Sequence, residues 1–81
     1  MVSLEAARAE AECFLDLRVR PQHPYEVLII DQDVEDQGDA WLFPYDGRGY
    51  IEQNSVTEMM LGNSPIRVLK ETGAADFGPG R

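Results

Sequence analysis

The first apolar pattern along the chain has the period of an amphipathic helix. Between residues 3 and 18, apolar side chains recur every three or four positions, and acidic residues occupy the other faces. The apolar positions are Leu4, Ala7, Ala11, Phe14 and Leu15. The Ser3 hydroxyl is placed to cap the first turn, and Pro21 ends the helix because its ring disfavours helical backbone in the preceding residue. The pattern predicts a helix at residues 3–18 that packs closely on a sheet.

The next two segments have the pattern of β-strands. Residues 25–32 contain a run of consecutive β-type apolar side chains, which predicts a strand that is buried on both faces or central in its sheet. In residues 40–45 aromatic side chains alternate with others, which predicts a strand whose aromatic face packs on the helix. Pro44 lacks an N–H group, so this strand ends there, is bulged or lies at an edge. We expect the two strands to form an antiparallel hairpin around a turn-rich loop at residues 31–39.

Shorter elements follow in the second half of the chain. We expect a turn at 46–49 and then an ambiguous segment at 50–54, for which a short strand is one interpretation. A short helix at 56–61 and a strand at 64–70 should follow. The chain should end with a turn at 72–73, a short strand at 74–77 and a frayed end at 78–81. These elements predict a single α+β domain spanning residues 1–81. Its N-terminal amphipathic helix packs on a twisted antiparallel sheet of about three to five strands, with the sheet wrapped around the helix as in cystatins.

Charge narrows the classes of partner. Fifteen acidic residues oppose seven basic ones, which gives a net charge of −8. This sign disfavours nucleic acid and anionic membrane surfaces, since both attract Lys and Arg. A basic protein partner fits better, and simple solubility is the alternative. The chain has no apolar run of about 20 residues and no signal-peptide pattern at its start, so we expect a cytoplasmic protein.

Residues 31–39, called the acidic segment below, allow three interpretations. The acidic residues are Asp31, Asp33, Glu35, Asp36 and Asp39. The first three have the spacing of an EF-hand loop, but Asp36 stands where that loop needs glycine and Leu42 where it needs glutamate. The segment is therefore a weak candidate for calcium, a solvated loop, or a loop that steers association with a basic surface.

Catalytic chemistry has little support in the sequence. Cys13 falls in the helical pattern, where a thiol usually acts as a small buried hydrophobe, and His23 lies between two prolines. Glu52 and Glu58 form no recognisable acid–base motif, and the glycines around Arg48 do not match a phosphate-binding fingerprint. We expect no enzymatic activity, no cofactor and no metal.

Aromatic and methionine side chains have both a structural and a functional interpretation. Trp41 and Tyr50 are candidates for interface anchors, because Trp and Tyr dominate binding hot spots, but they are also candidates for the core. Residues 59–61 are either an adaptable binding patch or one side of a buried short helix.

Three short motifs resemble a known family. The residues concerned are Ala7, Ala11, Phe14 and Leu15 in the helix, Trp41, Phe43 and Tyr45 at alternate positions, and Leu61, Gly62, Asn63, Pro65, Ile66 and Val68 around the Gly-Asn turn. Thr72, Gly73 and Gly78 follow as a similar turn and strand. Together they resemble the immunity protein 35 family, also called the YrhB type, whose members lie beside toxin genes in bacterial polymorphic toxin systems.

The resemblance implies a protein that inhibits a cognate toxin by direct binding. In that interpretation the acidic segment would contact a basic toxin domain, with Trp41 or Tyr50 as an anchor. A general chaperone-like or accessory interaction domain is the main alternative. A small enzyme or metal binder and a scaffolding protein are further classes.

Overall fold

The computed structural model describes residues 1–54 and 64–78. Within these residues the helices are α1 (Leu4–Arg18) and α2 (Arg48–Gln53). The strands are β1 (Val27–Ile29), β2 (Glu35–Asp36), β3 (Ala40–Phe43), β4 (Tyr45–Gly47), β5 (Ile66–Leu69) and β6 (Ala75–Phe77). Single 3-10 turns lie at Arg20–Gln22 and Asp31–Asp33. None of the helices in this part of the chain is long and apolar enough to span a membrane.

Helix α1 confirms the first prediction. The Ser3 hydroxyl accepts a hydrogen bond from the Ala6 N–H at 3.2 Å, which caps the first turn. The helix ends at Arg18, and Pro21 stands in the following 3-10 turn. Four of the five predicted apolar positions are buried, but Leu4 is 44% exposed, so its place in the buried stripe was predicted wrongly. It lies in the first turn, at the end of the covered face.

The described strands form two antiparallel sheets. One pairs β1 with β4, and the other has the order β2-β3-β5-β6. The core lies between α1 and both sheets, where Phe43, Ile66 and Val68 are fully buried. An N-terminal helix on antiparallel strands is the α+β class that the sequence predicts.

The predicted hairpin is only partly right. The first strand pairs with the aromatic segment solely beyond Pro44, where Ile29 lies opposite Tyr45. Before Pro44, β3 pairs instead with β2 and β5. Pro44 has no N–H to continue a ladder, although its carbonyl still accepts the Ile30 N–H at 2.9 Å. The aromatic segment is therefore divided at Pro44 and contributes one strand to each sheet.

Helix α2 corrects two further predictions. Residues 50–53 belong to a helix rather than to the strand suggested for 50–54. Residues 46–49 are not a turn, because β4 runs to Gly47 and α2 begins at Arg48. Arg48 pairs with Glu52 one turn along the helix at 3.1 Å and with Glu26 at 2.8 Å, which favours the helical arrangement. Asn54 ends the helix in the left-handed conformation at φ 55°. The helix predicted at 56–61 lies outside the described residues.

The C-terminal strands follow the prediction. β5 and β6 pair around a turn that contains Gly73 at φ 78°, a conformation that suits glycine. Gly78 donates its N–H to the Pro65 carbonyl at 2.6 Å, and a Cβ at this position would lie 2.9 Å from the Leu42 side chain. The frayed end predicted at 78–81 falls largely outside the described residues.

Arg20 links the end of α1 to β1 of the two-stranded sheet through hydrogen bonds. Its guanidinium donates to the Val27 carbonyl at 2.7 Å and 3.1 Å, to Asp16 at 2.8 Å and to Glu12 at 3.2 Å. Glu26 and Ile30 carry hydrogen bonds towards β4, so the Val27 carbonyl faces the outer edge of β1. Arg20 therefore satisfies an edge carbonyl that none of the described strands pairs. Burial opposes the charged form of Arg20, yet the bonds to the two carboxylates raise its pKa overall.

Candidate functional site

The acidic segment contains regular secondary structure. A 3-10 turn at Asp31–Asp33 leads into β2, and Gly38 turns the chain at φ 86° into β3. The turn-rich loop predicted here therefore contains an additional strand at the edge of the four-stranded sheet. All of its acidic side chains are exposed. A partner can therefore reach each of them.

Asp31 is tied to α1. Both of its carboxylate oxygens accept hydrogen bonds from Arg8, at 2.7 Å from Nε and 3.1 Å from Nη2. This paired geometry favours the ionised acid and lowers the pKa of Asp31. The first acid of the segment thus already has an internal cation.

Two more acids of the segment pair with β5 and the residue after it. The Lys70 ammonium lies 2.5 Å from the Asp36 carboxylate, and Arg67 lies 3.5 Å from that of Asp39. The Lys70 hydrogen bond, together with one from the Gly38 N–H, lowers the pKa of Asp36.

The remaining two acids point to solvent. Asp33 and Glu35 form no ion pair with any residue in the ranges 1–54 and 64–78. Of the five acids proposed from sequence, these two therefore have charges that no internal cation offsets in the described structure.

Trp41 lies at the margin of the core, beside the acidic segment. Its half-buried side chain packs against the core, and the Lys70 ammonium lies 4.2 Å from the centre of its ring. The indole Nε1 is buried and has no hydrogen-bond partner among the described residues. Lys70 thus joins Trp41 and Asp36 in one cluster.

Tyr50 lies apart from this cluster. It is half-buried on α2, which follows the two-stranded sheet, whereas the other proposed residues belong to the four-stranded sheet or the segment leading to it. No hydrogen bond or ion pair within the described structure joins Tyr50 to Trp41 or to the acidic segment.

Sequence reasoning missed the basic residues of the site. Arg8, Arg67 and Lys70 hold three of the five acids in place. A signal was present for Lys70, because its spacing puts it on the same side of the strand as Ile66 and Val68. A lysine at the end of an apolar strand face often covers apolar surface with its stem.

Cys13 and His23, the side chains considered for nucleophilic or acid–base chemistry, are not part of this cluster. Cys13 is exposed, contrary to the burial predicted for it, because position 13 falls outside the stripe formed by Ala11, Phe14 and Leu15. The His23 ring lies 5.4 Å from that of Tyr25. Within the described residues, no three His, Cys, Asp or Glu side chains converge as metal ligands.

Because of the ion pairs of Asp31 and Asp36, we expect the free energy of unfolding to fall at acidic pH. The folded-state pKa values of Asp31 and Asp36 lie below their ordinary values, so the unfolded chain binds more protons near pH 4. Their contribution is present above about pH 4 and is lost as the pH falls through the lowered values. For the exposed Asp31–Arg8 pair we expect at most about 1 kcal/mol.

Urea unfolding at pH 6 and pH 3 measures this effect. The variant Asp31→Asn should flatten the pH dependence, whereas Asp33→Asn, which removes an acid that has no ion pair in the described structure, should leave it nearly unchanged. Equal slopes for the two variants would contradict a stabilising Arg8–Asp31 pair.

Comparison with known proteins identifies the family. The family model described as Immunity protein 35 matches residues 5–79, nearly the whole chain. No curated protein and no solved structure matches, so the cystatin-like wrap stays a prediction. The match includes both sheets, the acidic segment and all of α1 except its first residue. The chain therefore belongs to the immunity protein 35 family, a family of toxin-immunity proteins.

Proposed function

We propose that this domain protects a bacterial cell by binding one cognate toxin protein in the cytoplasm and covering its active site or the path of its substrate. The observation that carries the proposal is the family match over residues 5–79. Inhibition of this kind needs complementary surfaces and no chemistry, so the domain would act without catalysis, cofactor or metal.

Charge supports a basic partner. The net charge of −8 and the exposed acids of the acidic segment would attract a basic toxin surface and speed association. Asp33 and Glu35 are the most accessible to new ion pairs, since no cation in the described structure holds them. Asp31, Asp36 and Asp39 would bind basic residues of the toxin, either in place of their internal cations or together with them.

The aromatic anchors divide into two kinds. Trp41 lies beside the acidic segment and would add apolar contact at its inner side. Tyr50 lies on α2 and would contact the toxin only if the interface extended across the two-stranded sheet. We therefore rank Trp41 above Tyr50 as an anchor.

A chaperone-like function is the second candidate, and exposed apolar side chains favour it. Leu17 is 72% exposed on α1, and Phe77 is 45% exposed on β6. Such side chains suit weak contacts with several unfolded clients. Stoichiometry separates the two functions, since an immunity protein binds one folded toxin in a fixed ratio.

Charge reversal in the acidic segment tests the proposed interface. We expect Glu35→Lys to weaken binding to the cognate toxin domain by about tenfold, mainly through slower association at low salt. Surface plasmon resonance at two salt concentrations gives both rate constants. Glu35 is exposed on an edge strand, so the variant should fold normally.

Glu10→Lys is the matched control. It makes the same chemical change at an exposed position of α1 and alters the net charge equally. If both variants slowed association to the same extent, net charge alone would act, and the acidic segment would be removed from the proposed interface.

A further inference from the structure

The Lys70 ammonium occupies a small site on the surface of its own domain. It lies 4.2 Å above the ring of Trp41 and 2.5 Å from the carboxylate of Asp36. The Lys70 side chain is only 12% exposed, whereas that of Asp36 is 55% exposed. The cation is thus enclosed on the inner side, while the carboxylate remains accessible from solvent.

The walls of this site are held in position independently of the ammonium. The Asp36 carboxylate accepts the Gly38 N–H at 2.9 Å, and the Lys70 backbone N–H donates to the Asp39 carbonyl at 3.0 Å. Asp36 and Trp41 are also register partners on β2 and β3. The distance between the carboxylate and the ring is therefore set by the sheet.

The chemistry of the site is that of a receptor for organic cations. An aromatic face attracts an ammonium or guanidinium through its quadrupole, and an adjacent carboxylate adds a charge-assisted hydrogen bond. The indole Nε1 has no partner within the described residues, so packing and Lys70 hold the ring rather than a hydrogen bond. A second cation of the right shape could replace Lys70 without breaking any indole hydrogen bond seen there.

We propose that Trp41 and Asp36 form a cation-binding site, which Lys70 fills in the free protein and an arginine of the partner fills in the complex. The identity of the partner rests on the proposed function. Arginine fits better than lysine, because a planar guanidinium stacks on the ring while donating two hydrogen bonds to the carboxylate. Asp33 and Glu35 are exposed in the same segment and would attract the guanidinium at longer range.

Lys70 then acts as an internal competitor. A ligand must displace it, so the apparent affinity is the intrinsic affinity multiplied by the fraction of molecules in which the site is open. Displacement leaves the lysine on a flexible stem near the exposed acids. This competition would favour partners that present arginine and reject surfaces that offer only diffuse positive charge.

NMR of the indole N–H tests the proposal directly. The chain has a single tryptophan, so one cross-peak reports on the site. Titration with a hexa-arginine peptide at low salt should shift this peak. We expect Lys70→Ala to bind the peptide about fivefold more tightly, because the competitor is gone. We expect Asp36→Asn to bind it about fivefold more weakly, because the carboxylate is lost.

Matched variants separate site binding from net charge. Arg18→Ala removes the same charge as Lys70→Ala, and Glu10→Gln removes the same charge as Asp36→Asn, both at exposed positions of α1. Both controls should stay within about twofold of the original affinity. If Lys70→Ala does not fold, Lys70→Met keeps the packing of the stem and serves in its place.

An unmoved indole peak would overturn the proposal, as would equal effects of the test and control variants. The titration uses no toxin, so its failure would leave the proposed function standing. Conversely, failure of the domain to bind the toxin would leave an arginine site whose partner belongs to another class.

Discussion

Replacing Phe43 with alanine is expected to destabilise the domain by about 3–5 kcal/mol. Phe43 is fully buried on β3, beneath α1, and its register partner Ile66 is fully buried as well. Loss of the ring removes apolar contacts to both layers and leaves a cavity that close-packed neighbours fill only in part. An 81-residue domain has a total stability of roughly 5 kcal/mol, so much of this variant should be unfolded at 25 °C.

Chemical denaturation followed by far-ultraviolet circular dichroism measures the loss. Phe77→Ala provides a matched control, because the Phe77 ring is 45% exposed and contacts Phe14 edge-on at 4.9 Å. It should cost only about 1 kcal/mol. Similar losses for the two variants would contradict a core centred on β3.

Replacing Arg20 with alanine is expected to lower the free energy of unfolding by about 2–3 kcal/mol. The Arg20 side chain is 23% exposed, and its guanidinium bonds two carboxylates and the Val27 carbonyl at once. Its removal leaves Glu12 and Asp16 without their shared cation and the edge of β1 without its donor. The end of α1 and the two-stranded sheet should loosen together.

Thermal unfolding and amide hydrogen exchange measure this loosening. Arg18→Ala is the control, since Arg18 is exposed and only approaches the Phe14 ring at 5.8 Å. Arg20→Lys should recover part of the stability, because one ammonium cannot make every bond of the guanidinium. An Arg20→Ala variant as stable as Arg18→Ala would show that β1 needs no support from this side chain.

The sequence predicts a helix or strand well when its pattern and its ends are set by residues that are close together in the chain. Helix α1 follows from the spacing of Ala7, Ala11 and Phe14 and from the cap at Ser3, all within one continuous segment. Strands β5 and β6 follow from alternation around the turn at Gly73. In each case neighbouring residues carry both the pattern and its ending.

The pairing of strands depends on contacts that are distant in sequence. The sequence shows that Pro44 must disturb its strand, but not that the chain changes sheets there. Strand β2 has only two residues, both acidic, so no apolar alternation reveals it. Helix α2 is short and depends on an ion pair between Arg48 and Glu26, 22 positions apart.

The candidate site shows the same division. The acids of residues 31–39 and Trp41 are visible in the sequence as charge and as a hot-spot residue. Their pairing with Arg8, Arg67 and Lys70 is not visible, since each cation is at least 23 positions from its acid. These contacts separate Asp33 and Glu35 from the other acids, a distinction that composition does not make.

Amide hydrogen exchange of the domain with and without its toxin tests whether the toxin binds at the acidic segment. We expect a complex of one domain with one toxin, in which residues 31–41 exchange more slowly than in the free protein. The exposed face of α1 around Glu10 and Leu17 should exchange at an unchanged rate. Unchanged exchange at residues 31–41, with slowing confined to α1 or β6, would contradict binding through the acidic segment and Trp41.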